Sequence, residues 1–488
     1  MTDQTEGMAR DGAERTREDH VLTPHLTRFV AQTRYDDIPA DVLEKGKGHI
    51  LDSLGCGLAG SVSRAAKIAR DFLAEEANAR QGVSVLGSDL RLSPRHASFA
   101  NGLAMHADDF DDTGPQPSPD RNGGIHATVP VLAATLALAE RDARSGKDLI
   151  EAMHIGIEVS CKLNHAIGAA HYSRGFHSTR TIGVFGAAAG AARLMSLGED
   201  ALTHAFGIAA SQSSGLRANF GSMMNPFHAG HAAECGVVSA GLAARGFTAA
   251  KNILEEPSIG FFEAYAGGYD PGAIIDRLGA PWAFVDPGMW IKPYPCGALT
   301  HPAITALIDF AIAENVSPGE VASVAVQTNR HMVNTLIHNR PKAALQAKFS
   351  MPFAVALALQ RRKVTLADFT DSVVQDPAIQ ALISKVEYSG FENRKTGYTN
   401  VTTLIQVALK DGRTFSLRAD FGKGNPRNPM NYRDLAEKFL GCANYAGWPQ
   451  AKAEVVVEMV GDLENVPDIR LLTRMLVRDA GSISGEGQ

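Results

Sequence analysis

The first half of the chain is patterned for helices. From residue 22 to 278, apolar side chains return every three or four positions, the period of one helix face. Pro39 opens one such run, with Val42, Ile50, Leu51 and Leu54 in register. Further runs cover 97–105, 127–139, 199–211 and 228–245. The stretch 181–197 carries Gly183, Gly186, Ala187 and Gly190 on one stripe. Small residues at that spacing predict a helix whose backbone lies close against its neighbours. Strand signals are nearly absent here.

The pattern changes after Gly279-Ala280-Pro281. Residues 300–314 read as an amphipathic helix, 321–326 alternate as a strand does, and 348–360 read as a helix broken near Pro352. Residues 402–409 and 414–418 read as strands joined by Lys410-Asp411-Gly412-Arg413, a hairpin signal. The Gly/Pro/Asn segment 422–429 ends this module, and 431–440 and 466–477 are helical again. The predicted fold is mainly α with an inserted α+β lid. A large helical domain uses 22–278 and 430–478, and a smaller α+β lid domain uses 279–422. Residues 1–21 and 479–488 read as disordered tails.

Composition removes several function classes. At 488 residues the chain can bury a large core. A net charge of -6 provides no basic face for nucleic acid. No apolar run reaches the roughly 18 residues of a membrane span. Cys56, Cys161, Cys235, Cys296 and Cys442 are scattered, odd in number and never in a CxxC pair. Neither a disulfide framework nor a thiolate zinc site is expected. The polar first 20 residues lack the apolar centre of a signal peptide, so a reducing cytoplasm is the expected location.

Chemistry concentrates in His106-Ala107-Asp108-Asp109-Phe110-Asp111-Asp112-Thr113, four carboxylates and a histidine within eight residues. The run follows a helix-like segment and leads through a Gly/Pro-rich loop to His126, a common setting for a site. Two motif matches are set aside. Gly55-Cys56-Gly57-Leu58-Ala59-Gly60 fits GxGxxG but follows a helical run, whereas a dinucleotide fingerprint must follow a strand. Asp108-Asp109-Phe110-Asp111-Asp112 fits the magnesium-binding DDxxD pattern, but no second metal motif occurs downstream. Three further constellations lie at element ends: Gly175-Phe176-His177-Ser178-Thr179-Arg180, Asn225-Pro226-Phe227-His228-Ala229-Gly230-His231, and Lys292-Pro293-Tyr294-Pro295-Cys296 with Thr300-His301 behind it. None has HExxH spacing. As a set they supply proton-transfer groups and anion-binding groups.

In their order, these motifs, with Asn101-Gly102 ahead of them and Ala347-Lys348-Phe349-Ser350 after them, resemble the 2-methylcitrate dehydratase (MmgE/PrpD) family over about residues 22 to 475. That family includes 2-methylcitrate dehydratase, cis-aconitate decarboxylase and iminodisuccinate epimerase. The resemblance implies a homodimer, a cleft site between two domains, a small polycarboxylate substrate, and no metal or organic cofactor. It implies catalytic roles for His126, His177, Lys292 and Asp111. It places Thr113, Tyr294, Lys348 and the position of Asn225 around the substrate; Arg180, at a position usually small or polar in the family, is added to them for its charge. Asn225 stands where the family usually has lysine, and Gly297 stands where the decarboxylase has histidine. Both departures argue against cis-aconitate decarboxylation. Arg180, three residues after His177, is expected to replace the missing lysine as a carboxylate clamp. The expected function is a dehydratase that removes a proton beside a carboxylate, with an epimerase or a non-catalytic carboxylate binder as alternatives.

Overall fold

The computed structural model describes residues 21–75, 82–114, 124–391 and 395–478. The expected tails at 1–21 and 479–488, apart from Val21, and most of the Gly/Pro-rich loop after the acidic run, lie outside these residues. The fold is mainly helical with a small mixed sheet.

Helices Ala40–Ser61, Pro94–His106, Thr128–Arg141, Gly146–Ser173, Gly183–Leu194 and Met224–Ala243 form the main core. Their starts follow local chemistry. Ser93 accepts from the His96 amide with Pro94 in the first turn, and Ser145 shares a capping box with Asp148. The small-residue stripe works as expected. Side chains at Gly186 and Gly190 would meet the backbones of Gly156 and Ala152 on the neighbouring helix. The GxGxxG run is interior to Ala40–Ser61, where its glycines face Phe439, Leu86 and the Ala104 carbonyl. Helices Pro94–His106 and Met224–Ala243 cross at Gly102 and Gly230, where a Cβ on Gly102 would lie 2.9 Å from the Gly230 Cα. That close crossing brings His106 and His228, each near a glycine on its helix, toward one place.

A second core holds the sheet. Its strand order is Val386–Gly390, Val321–Thr328, Thr403–Leu409, Thr414–Ala419; the first pair is parallel and the others antiparallel. Helices His301–Ala313 and Met351–Arg361 cover it. Trp282, Phe284, Met289 and Ile291 still pack into the helical core, while Cys296 and Ala303 belong to the second core. The chain therefore changes core between 291 and 296, later than the Gly279 break suggests.

Four local expectations need correction. Pro352 starts the helix Met351–Arg361 rather than breaking it, because its missing N–H falls in the first turn. The strand Val386–Gly390 was not expected: it is short and half-buried, and its partner lies some sixty residues back in the chain. The helix Gln450–Gly461 was also missed, hidden by the β-branched triplet Val455-Val456-Val457. Within 466–477 only Arg470–Met475 is helical. No helix among the described residues is long and apolar enough to cross a membrane.

Candidate functional site

The acidic run is not a ladder of parallel carboxylates. The helix ends at His106, and Asp109 takes a left-handed backbone (φ 52) that Asp tolerates better than most residues. The four carboxylates therefore fan outward to separate partners. Asp108 receives Lys348 Nζ at 3.0 Å and Asp109 receives Lys292 Nζ at 2.7 Å. Asp111 holds His106 Nδ1 at 2.8 Å and His126 Nδ1 at 3.0 Å. Asp112 holds His49 Nδ1 at 2.8 Å and accepts from the Thr128 hydroxyl. Lys438, paired with Asp52, donates to the carbonyls of Phe110 and Lys292 at 2.7 Å each. Thr113 and Trp290 exchange backbone hydrogen bonds of 2.8 Å, which pins the lysine-bearing segment to the acidic run.

Of these residues, Asp109, Thr113, His126, Trp290 and Lys292 line a cavity of about 500 Å³ between the two cores. The helical part contributes Asp109, Thr113, His126, Tyr172, His177 and Asn225. The other wall carries Trp290, Lys292, Gly297, Phe349, Asn400 and Arg427. Lys292 and Arg427 are the cationic side chains among the described lining residues. Arg427 is exposed and lies over the Phe421 ring at 5.1 Å.

The two lining histidines sit in opposite fields. Burial alone would depress His126, but the Asp111 carboxylate overrides it and raises its pKa above the ordinary imidazole value. The His126 amide donates to Thr179 Oγ1, which fixes the backbone beside the ring. His177 is depressed well below the ordinary value, by burial first and then by His106 and His228. Its Nδ1 lies 3.0 Å from His228 Nδ1. Burial would also raise Asp109 and Asp111, but Lys292 holds the first below the usual carboxylate range, and His106 with His126 hold the second well below it. The cavity therefore faces one imidazole whose proton is held more tightly than usual and one whose proton is held far less tightly.

The cavity brings together His126, His177, Lys292, Thr113 and Asn225 from the expected set. It does not include the other four. Asp111 is fully buried behind His126, and Asp109 takes the cavity-facing place. Lys348 spends its ammonium on Asp108, with its Nζ 2.6 Å from the Asp108 carbonyl. Tyr294 turns into the second core, its hydroxyl 3.3 Å from Thr305 Oγ1. Arg180 is 1% exposed and donates to the Gln212 carbonyl at 2.8 Å and to Cys235 Sγ at 3.4 Å. The clamp expected of it is therefore contradicted. His177 is the N-cap of the short helix Ser178–Thr181 and has an extended backbone, so the helical i, i+3 stacking expected of residues 177 and 180 does not apply. Asp109, His106, His228 and Arg427 are the site residues sequence reasoning missed. Three lay inside noted motifs, but spacing cannot say which of two nearby acids turns toward a cleft, and Arg427 sits in a linker with no periodicity.

His106, Asp109, Asp111 and His126 offer four ligand atoms within 4.8 Å of one another, enough to hold a metal ion by distance alone. The donor chemistry does not fit. Asp109 Oδ1 already takes the Lys292 ammonium, and both Asp111 oxygens are used by imidazoles. An ion there would sit beside a buried cation.

Residues 24–273 match the MmgE/PrpD N-terminal domain and residues 294–464 the MmgE/PrpD C-terminal domain. The second match begins where the chain changes core. A protein of Homo sapiens named cis-aconitate decarboxylase is 30% identical over 448 residues, covering 89% of this chain and 90% of its own length. Its namesake in Mus musculus is 29% identical, with 93% of both chains covered. One from Aspergillus terreus is 25% identical over 93% of this chain and 96% of its own length. With both domains matched, and relatives aligned across nearly their whole length, the chain belongs to the MmgE/PrpD family.

Proposed function

We propose that this chain is a lyase for a small di- or tricarboxylic acid, removing a proton beside a carboxylate and expelling a β-hydroxyl as water. One observation carries the proposal: His126 and His177 line a single cavity in opposite fields, the Asp111 carboxylate raising the pKa of the first and burial lowering that of the second, beside the buried Lys292. Environments that push two titratable groups apart assign an acid and a base. His177 accepts the proton from carbon through Nε2. The released electron pair forms the C=C bond. The hydroxyl leaves with the proton of His126 as water. Lys292 stabilises the charge that builds on the adjacent carboxylate, and Asp109 holds Lys292 in place. Closure of the α+β module over the cavity, in a homodimer, would exclude bulk water from the reacting carbon.

Decarboxylation is the second reading, favoured by the names of the relatives. Against it, Gly297, which stands where the decarboxylase has histidine, and Asn225, which stands where the family usually has lysine, both line the cavity. The protein should be incubated with 2-methylcitrate, citrate and cis-aconitate, and the products resolved. A new C=C bond without carbon dioxide supports dehydration. Carbon dioxide from cis-aconitate supports decarboxylation and sinks the first reading.

Two expectations follow. Exhaustive EDTA treatment leaves turnover intact, because Lys292 already holds Asp109 and the two imidazoles already hold both Asp111 oxygens; loss restored by magnesium or zinc would show that they hold an ion. Arg427→Gln raises KM about tenfold, the equivalent of about 1.4 kcal/mol, with kcat and Tm nearly unchanged. Arg427 is an exposed lining cation that a forked carboxylate contact suits. An unaltered KM would remove it from the substrate site.

A further inference from the structure

We propose that His228 is the positioning residue that aims His177: it accepts the Nδ1–H of His177 and so leaves the His177 Nε2 lone pair toward the cavity. The inference rests on His177 being the base.

The geometry allows few alternatives. The two Nδ1 atoms lie 3.0 Å apart, and each residue is 3% exposed. A hydrogen bond at that distance needs one proton between the two nitrogens. Two protons would put N–H against N–H, and none would put lone pair against lone pair. Once His177 takes a proton on Nε2, it carries hydrogen on both nitrogens, and its Nδ1–H must then be the donor. His228 must therefore offer a lone pair at Nδ1 and carry its own proton on Nε2. The resting state that needs no rearrangement is His177 Nδ1–H donating to His228 Nδ1.

Burial first, and Arg180 after it, keep His228 neutral. Gly215 joins the three residues. Its carbonyl accepts from the His177 amide at 3.1 Å. A Cβ placed on it would lie 2.8 Å from Arg180 Cγ and 3.4 Å from His228 Nε2. Gly215 itself takes φ 121, a conformation suited to glycine, which lets the three pack this closely. Burial, and after it the Arg180 guanidinium, lower the pKa of His228 to about 4, with His106 and His231 adding to the effect. The charged and titratable groups facing His177 are His106, His126, His228 and Arg217. In serine hydrolases a carboxylate holds the imidazole and stabilises its cation. Here a neutral imidazole holds it and stabilises the cation less. That suits a base that must return its proton readily.

Three substitutions at His228 test this. His228→Leu keeps the bulk but removes the acceptor. It should lower kcat at least tenfold with KM changed less than twofold. His228→Asn places an amide oxygen near the Nδ1 position and should recover most of the loss. His228→Asp substitutes a carboxylate, which stabilises the imidazolium. The acid limb of the kcat profile should then move to higher pH. A folded His228→Leu protein with the parent's kcat would overturn the inference. If His228→Leu does not fold, an unmoved acid limb in His228→Asp overturns it. His177→Asn separates the two levels. If it stays active, His177 is not the base and the proposed function fails. If it is inactive while His228→Leu turns over normally, only the positioning role fails.

Discussion

His126→Gln should lower kcat by about 10²- to 10⁴-fold, the usual contribution of a positioned acid or base, and should remove the alkaline limb of the pH profile. Asp111 raises His126 above the ordinary imidazole value, so its proton is held to higher pH than in a free imidazole and is lost as pH rises through that raised pKa. His177 is depressed well below the ordinary value, so it is a free base at neutral pH and is blocked only as pH falls through its low pKa. Activity should form a plateau across neutral pH, with the acid limb belonging to His177 and the alkaline limb to His126. His177→Asn should cost as much as His126→Gln. An alkaline limb that survives in His126→Gln would assign it to another group.

Lys292→Met should have a second large effect, on stability as well as rate. Lys292 is 2% exposed and Asp109 7% exposed, and their charged atoms are 2.7 Å apart. Removing one member of a buried pair typically costs about 3–5 kcal/mol, because the other charge is left uncompensated. Turnover should also fall about 10²- to 10³-fold, the scale seen when one donor to a developing anion is removed. The double variant Lys292→Met with Asp109→Asn tests both parts. Asn tolerates the left-handed backbone at 109 and carries no charge to strand. Stability should largely return, while activity should not. If activity returned with stability, Lys292 would be a structural group only.

Much of the architecture was legible because it follows from periodicity. The helices of the first half, the small-residue stripe and the 403–419 hairpin all announce themselves through local spacing. What failed depends on non-local partners. The strand Val386–Gly390 exists because Val321–Thr328 offers it an edge. The site shows the same division. His126, His177 and Lys292 stand at element ends and converge as the motif order suggests. Arg180 and Lys348 look equally suited by charge, yet one is sunk between helices and the other is taken by Asp108. The exchange of Asp111 for Asp109 turns on one positive φ, which no pattern of residue types specifies.

The most direct measurement is proton NMR of the wild-type protein and His177→Asn in deuterated water, with 2-methylcitrate and citrate as substrates. The wild type should consume the C–H signal beside a carboxylate. Citrate should give the vinyl signal of the dehydrated acid, while 2-methylcitrate, whose reacting carbon carries the methyl, should give no vinyl proton but a methyl doublet collapsed to a singlet on the new double bond; in reverse, the recovered substrate should carry deuterium. His177→Asn should do neither. Deuterium wash-in without either unsaturated acid would point to epimerisation. Saturable binding of either acid with no exchange at all would contradict the proton-abstraction mechanism and leave a carboxylate-binding protein.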